Sequence, residues 1–320
     1  MLLATDVHAA RPQAIESIMP VIAVRHVTTY RYKQPVAFGP HRMMFRPRES
    51  YDQRLLEAHI EVTPAPTELR YVHDVFGNSV GIAHFAGRAS ELTFVSNVRL
   101  EQILDSDLED QSASDSFGTF PFAYSSEELP DLSRSIERQF PDPERKVELW
   151  AHRFISGRGP FGVHAVLGAM TRAIPDEFTY VGRPERGTQS PAETLELRRG
   201  TCRDFAVFMM EAARSLGLAA RFVSGYLHSP SRSNRPRRGG GNTHAWVRIY
   251  LPEGGWVEYD PTNGIVGNRD LIRVAVVRDP AQAVPLSGTW RGFPSDYIGM
   301  EVEVDVRAEE EAPVLGRAVS

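Results

Sequence analysis

The stretch SPAETLELRRGTCRDFAVFMMEAARSLGLAARFVSGYL, residues 190–227, decides how the rest of the chain is read. Ser190, Pro191 and Glu193 have the pattern of an N-cap, a first-turn proline and an N3 carboxylate, opening a short helix that Gly200 can end. Thr201 and Asp204 repeat the capping pattern, so a second helix begins with Cys202 at its first position. Phe205 to Met210, Ala212, Ala213 and Leu216 make that helix apolar around most of its circumference, which predicts burial, and Gly217 supplies its stop. The chain therefore sets its one cysteine at the N-terminus of a buried helix, where the dipole and free backbone N–H groups favour an anion.

That placement matters because the thiolate is the nucleophile. An ordinary thiol, with a pKa of about 8.5, is only about 3% ionised at pH 7, and a helix N-terminus or a neighbouring imidazolium lowers that pKa. The same N–H groups can hold an oxyanion in a tetrahedral intermediate. A lone buried cysteine is by itself more often a small hydrophobe. The residues downstream decide between the two roles.

GNTHAWVRIYLPEGGWVEYDPTNG, residues 241–264, reads as a hairpin whose first strand starts at His244 and whose second ends at Asp260. Both side chains sit toward its open end. A carboxylate near Nδ1 of the imidazole would fix its tautomer and stabilise its charged form. A turn centred on Glu253-Gly254 sets Asp260 opposite Val247, on the other face from His244, so a bulge or a shifted turn is needed to pair them. Asn263 is the fallback orienting residue.

Upstream, VIAVRHVTTYRY, LEAHIEVTP, DVFGNSVGIAHF and ELTFVSNVRLEQIL are short β runs broken by Pro, Gly and Asn, and predict an all-β domain over residues 21–104. Residues 105–120 read as an acidic, serine-rich linker. A second domain then spans residues 121–308. SSEELPDLSRSIERQF, DPERKVELWAHRFIS and VHAVLGAMTRAI are helical in it, the last stopped by Pro175. Residues 231–241 form an Arg/Gly loop. Residues 1–20 and 309–320 are expected as disordered ends.

Of 320 residues, 42% are hydrophobic and 24% charged, as in a soluble globular protein, and the formal charge of −5 argues against nucleic acid as partner. The two lysines, Lys33 and Lys146, do not follow glycines, so the phosphate-binding G-x-x-x-x-G-K loop is absent. One cysteine excludes an internal disulfide and a multi-cysteine zinc site, and no metal or cofactor is expected. Acidic Asp6 and the lack of a long apolar run make the first residues a poor signal peptide, so the expectation is a cytoplasmic protein without a membrane span.

Taken together, GTCRDFA (200–206), ARFVSGYL (220–227), THAWV (243–247) and GWVEYDPTN (255–263) resemble the bacterial transglutaminase-like family. TTYRYKQPV, HRMMFRPR and HDVFGNSV are similar to the β-rich region that precedes this core in bacterial members. The resemblance implies an α+β, papain-like core in which the cysteine helix packs on an antiparallel sheet, with EVEVDV near 301–306 completing that sheet. It implies Cys202, His244 and Asp260 as a catalytic triad. Tyr180, in FTYVG before the cysteine helix, is the candidate oxyanion side chain, and Trp246 is taken as a substrate contact, although a tryptophan there is more often core packing. The implied activity is acyl chemistry on a protein or peptide amide through a thioester; the family does not decide the second nucleophile, and hydrolysis is favoured because water is abundant and an amine must win by specific binding. The alternatives are glutamine-dependent cross-linking and a non-catalytic peptide-binding member.

Overall fold

A computed structural model describes residues 21–103, 118–121, 123–157, 160–183, 187–229, 237–252 and 254–309. The expected N-terminal extension, nearly all of the expected acidic linker and disordered tail, and residues 231–236 of the Arg/Gly loop lie outside these residues.

The first unit is built around one long strand, β1 (Val21–Met43), flanked by β2 (Gln53–Thr63), β3 (Glu68–His73), β4 (Ser79–His84) and β5 (Ala89–Gln102) in the order β2-β5-β1-β4-β3. Half of β1 pairs with β5 and its far end with β4, with register shifts between. Its inward positions alternate, as a strand with one covered face requires. Tyr32, Val36, Phe38, Met43, Leu92 and Phe94 form the unit's own core.

After the short strand β6 (Thr119–Phe120), the second unit begins with helices α1 (Leu129–Ile136) and α2 (Lys146–His152). The strand β7 (Phe161–Gly162) leads into α3 (Val163–Glu177), and β8 (Thr179–Tyr180) into α4 (Pro191–Leu197). A further short strand, β9 (Arg199–Gly200), pairs in parallel with β8 and leads into α5 (Cys202–Ser215). The second unit's sheet comprises β10 (Ala220–Leu227), β11 (His244–Leu251), β12 (Gly255–Asp260), β13 (Ile265–Val266) and β14 (Leu271–Val277), in the order β13-β12-β11-β10-β14. The apolar helix α5 packs on this sheet, with Phe205, Phe208 and Met209 fully buried.

Three expectations are corrected here. Strands β15 (Leu286–Arg291) and β16 (Tyr297–Ala308), the latter containing EVEVDV, pair with β1 and complete the first unit's sheet rather than the second's. Alternation specifies a strand but not its partner, which lies some 270 residues away in the sequence: Arg31 pairs with Gly299, for instance. Helix α3 continues through Pro175 to Glu177, a proline being tolerated in its last turn. And α4 ends at Leu197, where Arg198 rather than Gly200 takes the left-handed conformation.

The two units share one continuous core. Ile22, Val24, Val98 and Leu100 of the first belong to the same cluster as Phe205 and Phe208 of α5. The edge strand β14 is closed by two side-chain amides from the first unit. Gln53 accepts from the Arg273 N–H at 2.9 Å and donates to the Arg273 carbonyl at 2.9 Å. Asn78 does the same to Val276, at 2.9 Å each way. Each amide reproduces the donor–acceptor pair of a neighbouring strand, which removes the exposed edge.

Candidate active site

The start of α5 is fixed by its capping box. Thr201 caps the Asp204 N–H, and Asp204 Oδ2 accepts from the Thr201 N–H and hydroxyl, both at 2.8 Å. Asp204 is fully buried and also takes the Gln189 N–H at 2.7 Å and two bonds from the Arg183 guanidinium. Arg183 neutralises the carboxylate that the cap needs, so the cap does not cancel the positive end of the helix. The N–H groups of Cys202 and Arg203, in the first turn, have no acceptor within the helix and face the end where an oxyanion would form. Arg203 is itself half-buried over the Phe222 ring and hydrogen-bonds the Pro280 carbonyl at 2.8 Å.

The hairpin β11–β12 settles the parity problem. Val247 pairs with Tyr259, not Asp260. Shifting the turn by one residue puts Asp260 in register with Trp246, and hence on the face that His244 shares. Asp260 Oδ2 lies 2.9 Å from His244 Nε2. The carboxylate therefore holds Nε2, and the expectation of contact at Nδ1 is corrected. Nδ1 makes no well-formed hydrogen bond, while the Cys202 thiol interacts with the ring closely enough to act on its protonation. Burial works against the imidazolium, but the Asp260 carboxylate and then the thiol outweigh it and push His244 up to about 10. Burial likewise opposes the Asp260 charge, but His244, Asn263 and the Thr262 N–H keep its carboxyl below the usual range.

Asn263 is placed as an orienting residue, but for the aspartate rather than the imidazole. Its Nδ2 donates to Asp260 Oδ2 at 2.8 Å and to the Arg238 carbonyl at 3.2 Å, and its Oδ1 accepts from the Arg238 N–H at 2.8 Å. One amide thus joins the site to the segment 238–241, which runs on over the His244 ring.

Tyr180 is brought to the site as expected. Its hydroxyl lies near enough to the Cys202 sulfur to be perturbed by it, and burial first and the sulfur second push the phenol up to about 12, so it stays a donor at neutral pH. Trp246 is not. It is fully buried and its indole Nε1 donates to Glu258 at 2.6 Å while its ring stacks against His244. The assignment as a substrate contact is corrected: Trp246 is the wall behind the imidazole. Behind it, Arg273 links Glu258 to Asp52 of the first unit, a buried ion-pair network that sequence reasoning missed because its members are far apart in the chain.

A helix-borne thiol, an imidazole aligned by a buried aspartate and a neighbouring phenol make up a papain-like thiol site. A model of the bacterial transglutaminase-like N-terminal region matches residues 22–101, and one of the transglutaminase-like superfamily matches residues 164–261. The chain belongs to the bacterial transglutaminase-like family. It is 27% identical to an uncharacterized Mycobacterium leprae protein over 88% of this chain and 97% of that one. It is 28% identical to an uncharacterized Mycobacterium tuberculosis protein over 88% of this chain and 91% of that one. A solved structure from Cytophaga hutchinsonii, provisionally described as a cysteine protease, superposes with a TM-score of 0.66 at 20% identity, covering 94% of this chain and 95% of that one. That likeness establishes the shared fold.

Proposed function

We propose that the protein is a thiol enzyme that cleaves an amide of a peptide or protein through a Cys202 thioester, with water as the favoured second nucleophile. The observation that carries this reading is the alignment of His244, anchored at Nε2 by Asp260 and left with Nδ1 for the thiol at the helix N-terminus.

In this mechanism the Cys202 proton rests on His244 Nδ1, and the thiolate attacks the amide carbon. The carbonyl oxygen takes the negative charge, and the first-turn N–H groups of α5 and the Tyr180 hydroxyl donate to it. The C–N bond breaks as His244 gives its proton to the departing amine, leaving the acyl group on sulfur. Water, deprotonated by His244, then attacks the thioester, and the C–S bond breaks to release the acid and return the sulfur with its proton on His244; water is present at high concentration, whereas an amine acceptor must succeed through specific binding. Asp260 keeps the ring in one orientation throughout.

The test is to incubate the full chain with chromogenic peptide amides and to examine Cys202 by mass spectrometry. An acyl adduct on Cys202 with product release, both lost in Cys202→Ala, is expected. Release that persists in Cys202→Ala rejects the mechanism. Adding millimolar primary amine separates hydrolysis from transfer: a majority of amide-exchanged product would overturn the preference for water.

A further inference from the structure

A pocket of about 360 Å³ is lined by residues that include Asp176, Glu177, Thr179, Tyr180 and Arg238. Tyr180 belongs both to this pocket and to the Cys202 site. Arg238 also lines it, and the next residue, Gly239, stands against the His244 ring, so the pocket is tied to the thiol site through two of its walls. Its volume falls within the range of small-ligand sites.

The charges on its walls are arranged in an unusual way. The last turn of α3 carries Asp176 and Glu177 and no basic residue, which places two carboxylates at the negative end of a helix dipole. Glu177 is compensated by Arg153, by Arg198 at 2.7 Å and by the Trp150 indole. The side chain of Asp176 has no partner among the described residues, so this wall keeps an unbalanced negative charge beside a helix end that adds to it. Arg238 lies on the pocket too. Its backbone is pinned on both sides by Asn263, but its guanidinium also has no partner among the described residues. Two opposite charges thus share one pocket, each on a fixed backbone, without pairing with each other.

We propose that this pocket binds an amino-acid head group, with its α-ammonium at Asp176 and its α-carboxylate at Arg238, and that the side chain of this amino acid carries the scissile amide to Cys202. The inference rests on the thiol-enzyme reading and narrows its substrate to side-chain-linked amides with a free amino-acid end. Such a head group satisfies both charges at once, which neither a blocked internal peptide segment nor a simple amine does.

The experiment measures how ligands protect Cys202 of the full chain from iodoacetamide. The probes are γ-glutamylglycine and Nε-acetyl-lysine, each also as its α-N-acetyl and α-methyl ester form. Free head groups should slow alkylation, and blocking either charge should weaken apparent binding by about threefold, the scale of a solvent-exposed ion pair. In Asp176→Asn, free and acetylated probes should protect alike while the ester still protects less. In Arg238→Gln the pattern should invert. A structural role for either side chain would not produce this crossed pattern. Better protection by γ-glutamylglycine places the head group on the acyl side, and by Nε-acetyl-lysine on the departing amine; both support the site. Equal protection by free and blocked forms, or none by any, overturns it. Unliganded Cys202 that alkylates no faster than a cysteine in an unstructured peptide overturns the thiol-enzyme reading instead.

Discussion

Gly239 lies so close to His244 that a Cβ on it would stand 2.8 Å from Nδ1. Its φ of +89° is also one that residues with side chains rarely adopt. The segment that Asn263 ties to Asp260 therefore presses its smallest residue onto the nitrogen that serves the thiol.

Gly239→Ala should displace either the ring or that segment. We expect kcat to fall by roughly tenfold to a hundredfold, the scale of an ångström-sized misalignment. Stability should fall by more than about 1 kcal/mol, because alanine is strained at that φ. Steady-state kinetics beside urea unfolding would separate the two, and an unchanged kcat would remove the segment from the catalytic argument.

The alkaline limb of the proposed activity should follow His244. Its folded pKa of about 10 stands above the ordinary 6.5, so the stability it contributes is complete below pH 6.5 and disappears as pH rises through about 10. The proton needed by the departing amine is lost over the same rise. Asp260→Asn removes the main raising influence and should move the alkaline limb of kcat down by about one to three pH units. A limb that stays in place would show that another group sets it.

Tyr180→Phe should lower kcat by about a hundredfold with little change in KM, as for the loss of one oxyanion donor. A rise in KM alone would make the phenol a binding group.

His26 is buried in the first unit, where its Nδ1 meets the Tyr226 hydroxyl at 3.0 Å. Burial lowers its pKa to about 4. A depressed histidine favours the folded state above the unfolded value of 6.5 and ceases to as pH falls through about 4, so stability should drop across that window. His26→Gln should flatten the drop in pH-dependent thermal melts.

Gln53→Ala and Asn78→Ala each strand a backbone N–H and a carbonyl of β14. Each should cost about 1–3 kcal/mol, read as a lower urea midpoint. A loss near zero would mean that water replaces the amides.

The parts of this architecture that are local were legible in the sequence. The capping box of Thr201 and Asp204 lies within four residues and uses only backbone geometry, so the position of Cys202 followed from the letters. The hairpin carrying His244 and Asp260 was equally local, but its register depended on a turn placed one residue differently, which composition does not specify. The nitrogen chosen by Asp260, the burial of Trp246 and the sheet that β16 joins are set by tertiary packing. The charges of Asp176 and Arg238 have meaning only once α3 and the segment after residue 236 face one pocket.

The pairing of β1 with β16 has a consequence for assembly. Ile22 is hydrogen-bonded alongside Ala308, and the Glu309 N–H reaches the Val21 carbonyl at 2.8 Å. The whole thiol-bearing unit is thus a long excursion between two strands that must find each other afterwards. Closure of the β unit has to wait for that excursion to compact, which predicts slow, late docking in refolding kinetics.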